Sequence, residues 1–405
     1  MKKFIGNLFT ITLLIFSIII FGVTLYFCLD VFEIIQVPEK YSLVSMFYSK
    51  IEVIASNSNI MENNVSEENT IEKRPRKTIG VEKETYANSA ESTEFWAKLE
   101  EQQKYQENVE MDEGTTPQNF YYEQLDEYAK IIYDKLNSNL ESLKTGMYTA
   151  DFGLTFDELL HQEGGDVILK DSFQLAINAL TFDNPDLFYL DVTKLYLLTE
   201  VTTRAFSKKY EVTIGPNEES YLSKAFPTEQ VVTSAINMIE QEKNNLVNQC
   251  QNKSTVEKIK IVHDYLVDNT EYDLEAGENI YNVYGTLIDK KSVCEGYARS
   301  FKYIMDDLNI PCIIACGIGK NSEGKAESHA WNYVQIDDEW YAIDVTWDDP
   351  VITGPGYLSE AKKQESKYEY YLNGSNKFFE DHFEDGNIVG EANFKYPTLS
   401  VLNYK

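Results

Sequence analysis

The stretch that decides the fold is SVCEGYARSFKYIMDDL, residues 292–308, where one cysteine opens an amphipathic pattern. Apolar residues recur at helical spacing, which predicts a helix over residues 293–308 with one buried face. Ser292 and Glu295 have the spacing of a capping box, so Cys294 falls in the first turn. There the free N–H groups and the positive end of the helix dipole favour a thiolate. A small buried core residue is the alternative for this cysteine.

A second stretch, HAWNYVQIDDEWYAIDVTW at residues 329–347, supplies an imidazole and a carboxylate. Its two halves alternate around an acidic turn, which predicts a β-hairpin. A two-residue turn at 338–339 would put Asp344 opposite Tyr333, on the face that carries His329. That register leaves the imidazole and the carboxylate four residues apart, so a bulge or a strong twist would have to close the gap.

Cysteine, histidine and aspartate together predict acyl-transfer chemistry. A thiolate attacks an acyl carbon, an imidazole moves the proton, and a carboxylate sets the tautomer of the ring. An unpaired carboxylate in an apolar strand would be costly, so a histidine partner explains Asp344. The alternatives are that Asp344 is a turn or edge residue, and that Trp331 is strand core rather than a wall of the substrate groove.

Around these residues, the stretch 282–350 resembles the transglutaminase-like, papain-related superfamily, especially the branch with bacterial surface proteins and the cytokinesis-type transglutaminase-like domain. The resemblance is carried by KIKIVHDYLVDNTEYD, VYGTLIDKKSVCEGYARSFKYIMDDLNIPC and HAWNYVQIDDEWYAIDVTWDDP, and it extends more weakly through DNPDLFYLD and YEYYLNGSNKFFEDH to residues 117–405. It implies an α+β fold in which a cysteine-bearing helix packs on an antiparallel sheet. It implies Cys294 as nucleophile, His329 as general base and acid, and Asp344 as the group that orients the imidazole.

Residues near the nucleophile are candidates for the substrate cleft. The N–H of Cys294 is a natural oxyanion donor at a helix start. Asn282 and Tyr284 are candidates for a second donor, and each could equally pack a loop. Gly296 is expected to leave room beside the sulfur for a substrate backbone.

Three further residues are given structural roles. His263 borders the apolar stripe of a helix that opens with the capping box 254–257. Because no partner lies nearby in the sequence, His263 is expected to be a packed residue rather than a base or a ligand. Asp348 and Asp349 are expected to cap a turn before Pro350, with shaping of the cleft as the alternative.

The five cysteines are too few for a disulfide scaffold. In a strand over residues 310–317, Cys312 and Cys316 would be about 13 Å apart, too far to bridge. They are expected to be buried and free, and Cys294 is expected to be free. The fragment 317–319 is expected to be a flexible turn. The four histidines lack zinc-site spacing, so no metal is predicted, and nothing calls for calcium or another cofactor.

The charge balance bounds the partners of this 405-residue chain. With 36 Lys+Arg against 66 Asp+Glu, the net charge is -30. Such acidity repels polyphosphate, so no nucleic acid partner is expected. The length suggests one to three domains with a substantial core.

Residues 4–29 contain no charged side chain and are long enough to cross a bilayer. Because Lys2 and Lys3 precede them, the amino terminus is expected in the cytoplasm and the remaining chain outside. A cleaved signal peptide is the alternative, although its apolar run would be shorter. The expected localisation is a single-pass cell-membrane protein, with the bilayer as a partner.

Four regions are expected along the chain: a transmembrane anchor over 1–30, an extracytoplasmic stalk over 31–116, an accessory α+β region over 117–250 and a transglutaminase-like catalytic domain over 251–405. The stalk is polar and poor in apolar residues, a composition that does not order by itself. Its basic run 73–77 is interpreted as a solvated linker.

Within the accessory region, the hydrophobic pattern predicts a series of short elements. The expected helices span 119–144, 171–180 and 228–250, and the expected strands span 187–190, 195–201 and 205–214.

The leading hypothesis is a membrane-anchored thiol enzyme that forms a thioester from a protein or peptide amide, with cell-surface or cell-wall polypeptides as the expected substrates. The alternative is a catalytically silent domain of the same fold that binds protein or cell wall.

Overall fold

The computed structural model describes residues 49–57, 78–80, 119–204, 207–320, 326–349, 351–353, 366–384 and 394–405. The expected membrane anchor at 4–29 lies outside the described residues, as does the basic run 73–77. None of the helices in the described segments is both long and apolar enough to span a membrane.

Twelve strands lie in the described segments: β1 (Ser49–Asn57), β2 (Thr78–Gly80), β3 (Ala150–Gly153), β4 (Tyr196–Arg204), β5 (Ser207–Gly215), β6 (Glu271–Tyr272), β7 (Lys291–Ser292), β8 (Cys312–Lys320), β9 (Ala326–Ile336), β10 (Glu339–Ile343), β11 (Val351–Thr353) and β12 (His382–Glu384). The α-helices of the same segments are α1 (Phe120–Glu123), α2 (Glu127–Asn137), α3 (Leu140–Leu143), α4 (Asp157–Leu160), α5 (Gly165–Asp183), α6 (Glu229–Gln249), α7 (Thr255–Asn269), α8 (Cys294–Asp307) and α9 (Ser375–Phe378).

The chain forms two compact units, and the first contains a four-stranded antiparallel sheet. Its strand order is β1-β4-β5-β3, and the described residues of this unit outside β1 lie within 149–170 and 196–217. The Asp157 carboxylate accepts the N–H of Tyr210 at 2.8 Å and joins α4 to β5.

The second unit holds the predicted helix-on-sheet core. Its described residues lie within 78–80, 119–148, 171–195 and 218–405, apart from the gaps given above. Its antiparallel sheet has the order β10-β9-β8-β12, and α8 packs on β8 and β9. Asn332 of β9 joins the layers, because its Nδ2 donates to the carbonyls of Ala298 in α8 and Ile313 in β8 at 3.0 and 3.2 Å. The predicted α+β core, in which a cysteine-bearing helix packs on an antiparallel sheet, is confirmed.

The domain boundaries remain a prediction, but the stalk expected over 31–116 is not coil throughout. Residues 49–57 form β1, which pairs with β4, and residues 78–80 form β2, which pairs with β11.

The helix predicted over 293–308 is confirmed as α8, whose apolar face is buried as expected. The capping box at its start is wrong. The N-cap residue is Val293, no side chain caps the helix, and Glu295 pairs with Arg299 instead. By contrast, the capping box predicted at 254–257 is present at the start of α7.

Gly296 serves packing and not the substrate approach that the sequence suggested. A Cβ built on Gly296 would lie 2.2 Å from Ser292 Oγ and 2.5 Å from the Ile280 carbonyl oxygen. Glycine therefore lets the first turn of α8 pack tightly on the 3₁₀ helix Glu278–Tyr281. This close contact places Cys294 beside the loop that precedes it.

The hairpin is present, but its predicted register is wrong. The turn lies at Asp337 and Asp338, with φ of 51° and 65°, and Ile343 pairs with Asn332. Two consecutive positive φ angles suit a two-residue hairpin turn, and aspartate tolerates them. The pairing shifts by an even number of residues, so the predicted shared face is kept. Asp344 comes level with Trp331, two residues from His329 rather than four, so no bulge is needed.

The glycines at 317 and 319 lie within β8 and not in the flexible turn that we predicted. Gly319 is needed for a different reason. A Cβ at this position would lie 2.7 Å from the ring of Trp347, so glycine makes room for an indole that packs over the sheet.

The accessory elements are confirmed in part. Helix α6 and strands β4 and β5 follow the predictions closely, and α5 is longer than expected. The single helix predicted over 119–144 is divided into three, because Asp126 accepts the N–H groups of residues 128 and 129 and starts a new helix. The strand predicted over 187–190 is wrong: these residues form turns that end in one bridge, Leu190 to Leu222.

Candidate active site

Cys294 is the first residue of α8, and its thiol is free and half-buried. The helix start has no capping side chain, so the N–H groups of its first turn remain unused by a cap. Cys312 and Cys316 are free and buried, as predicted. Among these three thiols, Cys294 is the one with access to solvent.

His329 and Asp344 form a buried pair. The Nε2 of His329 donates to Oδ2 of Asp344 at 2.7 Å, and both side chains are almost fully enclosed. The imidazole stacks on Trp347, with ring centroids 4.9 Å apart. Because Nε2 is engaged and the ring is held by stacking, its orientation is set by the surrounding structure.

The other nitrogen of His329, Nδ1, makes no hydrogen bond to any described residue. The Cys294 sulfur lies close enough to act on the charge of the imidazole, since it is one of the groups that raise the ring's pKa. The sulfur thus lies near the imidazole, in a contact too loose to meet the geometry of a regular hydrogen bond at Nδ1. This is an arrangement that catalytic groups commonly show before substrate binds.

His329 and Asp344 shift each other's pKa in opposite directions. Burial alone would lower the pKa of His329, but the Asp344 carboxylate raises it to about 9. Burial alone would raise the pKa of Asp344, but His329 and His382 hold it well below its usual range. At neutral pH the pair is therefore an imidazolium and a carboxylate.

His382 is a site residue that the sequence reasoning missed. Its Nε2 lies 3.2 Å from Asp344 Oδ2, and its Nδ1 lies 2.8 Å from Asp381 Oδ1. Since both ring nitrogens meet carboxylates, both must carry a proton. The hydroxyl of Tyr370 donates to the other oxygen of Asp381 at 2.7 Å. The signal in the sequence that could have indicated His382 is the string YEYYLNGSNKFFEDH, in which His382 directly follows Asp381.

A second buried pair joins α7 to the loop after β10. His263 is buried as predicted, but it has a partner: its Nε2 lies 3.1 Å from Oδ2 of Asp348. Its Nδ1 lies 3.1 Å from Asp264. The expected role of Asp348 as a turn cap is wrong, because this carboxylate is buried and also accepts the N–H of Tyr370. Asp349 accepts the hydroxyl of Tyr297 at 2.9 Å.

The three cleft candidates fall in different places. Trp331 is buried core against Phe378 and the ring of His382. Tyr284 stacks on Phe188, and its N–H is already engaged because it donates to Asn282 Oδ1. Asn282 alone of the three lines a cavity next to α8.

That cavity has a volume of about 330 Å³. One wall is the first part of α8 with Glu295 and Arg299, and another is the loop with Tyr281 and Asn282. Cys294 is among the groups that raise the pKa of Tyr281, after burial and Glu295, so the thiol lies near this wall. The lining includes Glu295, the residue after Cys294, while Cys294 itself is not part of it, so the cavity lies close to the candidate nucleophile.

His329, Asp344 and His382 could also hold a metal ion, since their ligand atoms lie within 4.8 Å of one another. The sequence did not predict this cluster, because the two histidines are distant along the chain. In the structure the three groups already satisfy one another through the hydrogen bonds at 2.7 and 3.2 Å. A metal would have to replace both bonds.

The chain is similar to several known proteins. Residues 242–345 match the model of the transglutaminase-like superfamily. The kyphoscoliosis peptidases of Mus musculus and Homo sapiens are 27% and 26% identical over 146 and 144 residues, which cover 33% and 32% of this chain. The matches span 21% of the length of either relative. The crystal structure of a TGase is 20% identical over 41% of this chain and 47% of that chain, with a TM-score of 0.25.

Residues 242–345 are therefore similar to the transglutaminase-like superfamily, and the chain spans about a fifth of the length of the curated peptidases it matches.

The Asp344 carboxylate should set the pH range in which His329 assists Cys294. The pKa of His329 in the folded chain is about 9, above the ordinary histidine value of 6.5. Proton binding to His329 therefore stabilises the fold below pH 6.5, and this contribution is lost as the pH rises from 6.5 to about 9. The rate of Cys294 labelling by iodoacetamide, relative to His329→Ala, should fall as pH rises through about 9. In Asp344→Asn the fall should move toward 6.5.

Asp349→Asn is the matched control, since this carboxylate bonds to Tyr297 and not to the imidazole. A pH profile that is the same in Asp344→Asn and in the unaltered chain would contradict the assigned pair.

His382→Phe should both destabilise the fold and alter the pH profile. Loss of one donor to the buried Asp344 should lower the free energy of unfolding by about 1–3 kcal/mol, measured by denaturant titration. The His382 ring centroid lies 5.5 Å from that of His329. Because a nearby cation disfavours protonation of His329, removal of His382 should raise the pKa of His329 and extend the His329-dependent labelling of Cys294 to higher pH.

His161→Phe is the control for this substitution, because His161 is exposed and lies in the first unit. An unchanged profile in His382→Phe would reduce His382 to a packing residue.

Proposed function

We propose that the protein is a cysteine acyl-transfer enzyme that acts on protein or peptide amides. The observation that carries the proposal is the buried pair of His329 and Asp344, whose imidazole lies near the free, half-buried thiol of Cys294. The Nδ1 atom of His329 makes no regular hydrogen bond to the described residues. A nucleophile, a proton carrier and an orienting carboxylate are the three groups that this chemistry requires.

The proposed reaction has two steps. The Cys294 sulfur attacks the carbonyl carbon of the amide, and the imidazolium of His329 gives its proton to the leaving amine as the C–N bond breaks. A thioester remains on the sulfur. His329 then accepts a proton from an incoming amine or water, which attacks the thioester and releases the thiolate. An amine yields a crosslink, and water yields hydrolysis.

The oxyanion formed in each step needs donors. The N–H of Cys294 supplies one at the uncapped start of α8. Asn282 is the proposed second donor, since it lines the adjacent cavity and its Nδ2 has only a long contact, 3.5 Å, to the Phe188 carbonyl.

Acyl transfer can be tested with p-nitrophenyl acetate, an activated ester that needs little substrate recognition. We expect a burst of nitrophenol equal to one acyl group per chain and an acetyl group on Cys294 that hydroxylamine removes. Added amine should speed turnover, because it competes with water for the thioester. Product release and peptide mass mapping measure these outcomes.

Cys294→Ala should abolish the burst, and His329→Ala should slow it by about two to four orders of magnitude. Cys312→Ala is the matched control, because that thiol is buried. Acetylation of Cys294 no faster than that of Cys312 would instead support a silent binding module.

The anchor and localisation remain proposals that rest on sequence. The uncharged run 4–29 supports a single-pass membrane protein with the stalk 31–116, the accessory region 117–250 and the catalytic domain 251–405 outside the cytoplasm. Cell-surface or cell-wall polypeptides would then be the substrates within reach.

Alkaline extraction should leave the full chain in the membrane fraction and release a chain that lacks residues 1–30. Release of the full chain would refute the anchor, and protease added to intact cells tests the orientation.

A further inference from the structure

One wall of the cavity beside α8 is formed by residues for which the sequence predicted no chemical role. Residues 178–193, the end of α5 and the turns after it, face the residues of α8 across the cavity. Phe182, Leu187 and Phe188 make this wall largely apolar. Ligand sites typically combine such walls with a few polar groups and have volumes of roughly 300–1,000 Å³. At about 330 Å³ the cavity is at the small end of that range.

Asn178 is the polar group that points to a ligand. It lines the cavity, its residue is 2% exposed, and its Nδ2 has no hydrogen-bond partner among the described residues. Its Oδ1 is already engaged by Gln174 at 3.1 Å. A buried amide donor without a partner is costly, so an acceptor that arrives with a ligand would relieve that cost.

Two other groups of the lining can donate. The Oγ of Ser223 is buried and also lacks a partner in the described structure. Arg299 uses Nε on Glu295 and Nη1 on the Thr181 carbonyl, at 2.8 and 2.5 Å. Its Nη2 makes no bond to a described residue. The cavity thus offers donors, and a ligand should bring acceptors.

The charges of the lining select an uncharged acceptor. Glu295 neutralises Arg299, which also lies over the ring of Phe182 at 5.1 Å. Asp191 and Glu278 also line the cavity, and they are paired with Lys194 and Lys224 at 2.9 and 3.4 Å. Every charge of the lining thus has a partner, so a buried carboxylate would find no free counter-ion, while an uncharged amide carbonyl needs none. A cationic side chain would leave the Asn178 donor unsatisfied.

We propose that this cavity is the specificity pocket for the substrate, and that it binds an apolar side chain of a peptide whose uncharged amide carbonyl accepts from Asn178. This inference rests on the proposed function of Cys294 and names the substrate class. The pocket is lined by Glu295, which directly follows the nucleophile, so the bound residue would be near the amide that reacts.

The test uses acetyl-Xaa-glycyl chloromethyl ketones with Phe, Leu, Ala, Asp or Lys at Xaa, on the full chain in detergent. Labelling of Cys294 should saturate, and the half-saturating concentration should be about tenfold lower for Phe and Leu than for Asp or Lys. Asn178→Leu should raise that concentration about tenfold for the Phe compound, as expected for one lost hydrogen bond to a buried donor.

Asn245→Leu is the matched control, since Asn245 is exposed on α6. Iodoacetamide labelling of every variant reports separately on the thiol. Equal half-saturating concentrations for the five compounds, or no effect of Asn178→Leu on the Phe compound, would overturn the proposed pocket. If iodoacetamide labelling still depends on His329 in that case, the proposed function stands. Loss of that His329 dependence in the unaltered chain would instead sink the proposed function. If Asn178→Leu does not fold, the five-compound series on the unaltered chain decides the question.

Discussion

The site depends on one buried carboxylate. Asp344 is fully enclosed, and a buried charge persists only where donors compensate it. Its Oδ2 meets His329 and His382, and its Oδ1 accepts the N–H groups of Thr346 and Trp347 at 3.0 and 3.1 Å. These donors come from three parts of the chain. Their convergence on one carboxylate fixes the imidazole in front of the first turn of α8.

A polar network continues outward from that carboxylate. His382 lies between Asp344 and Asp381, and His263 lies between Asp348 and Asp264. The two pairs hold both ends of the short loop that follows β10. Such buried ionic groups add little net stability, but removal of one member leaves a charge unpaired. They therefore restrict the loop, and with it the orienting group of the site, to one arrangement.

Local pattern predicted more of the core than of its connections. The amphipathic repeat of α8 and the alternation of the hairpin strands were sufficient, because each repeat matches one burial geometry. The hairpin turn was missed by one residue, since three consecutive acidic residues allow more than one two-residue turn. The capping box at Ser292 failed because Ser292 Oγ bonds instead to Thr286 and the Ile280 carbonyl.

The sequence by itself determined helix α8, the hairpin of β9 and β10, the three catalytic candidates and the shared face of His329 and Asp344, because periodicity and residue chemistry act over a few neighbouring positions. Only the tertiary structure decided that His382 reaches Asp344, that Asp348 pairs with His263, and that residues 178–193 form a wall beside the nucleophile. Those contacts join segments dozens of residues apart. They arise from the packing of helices on a sheet and the need to compensate buried charge, and no local pattern encodes either.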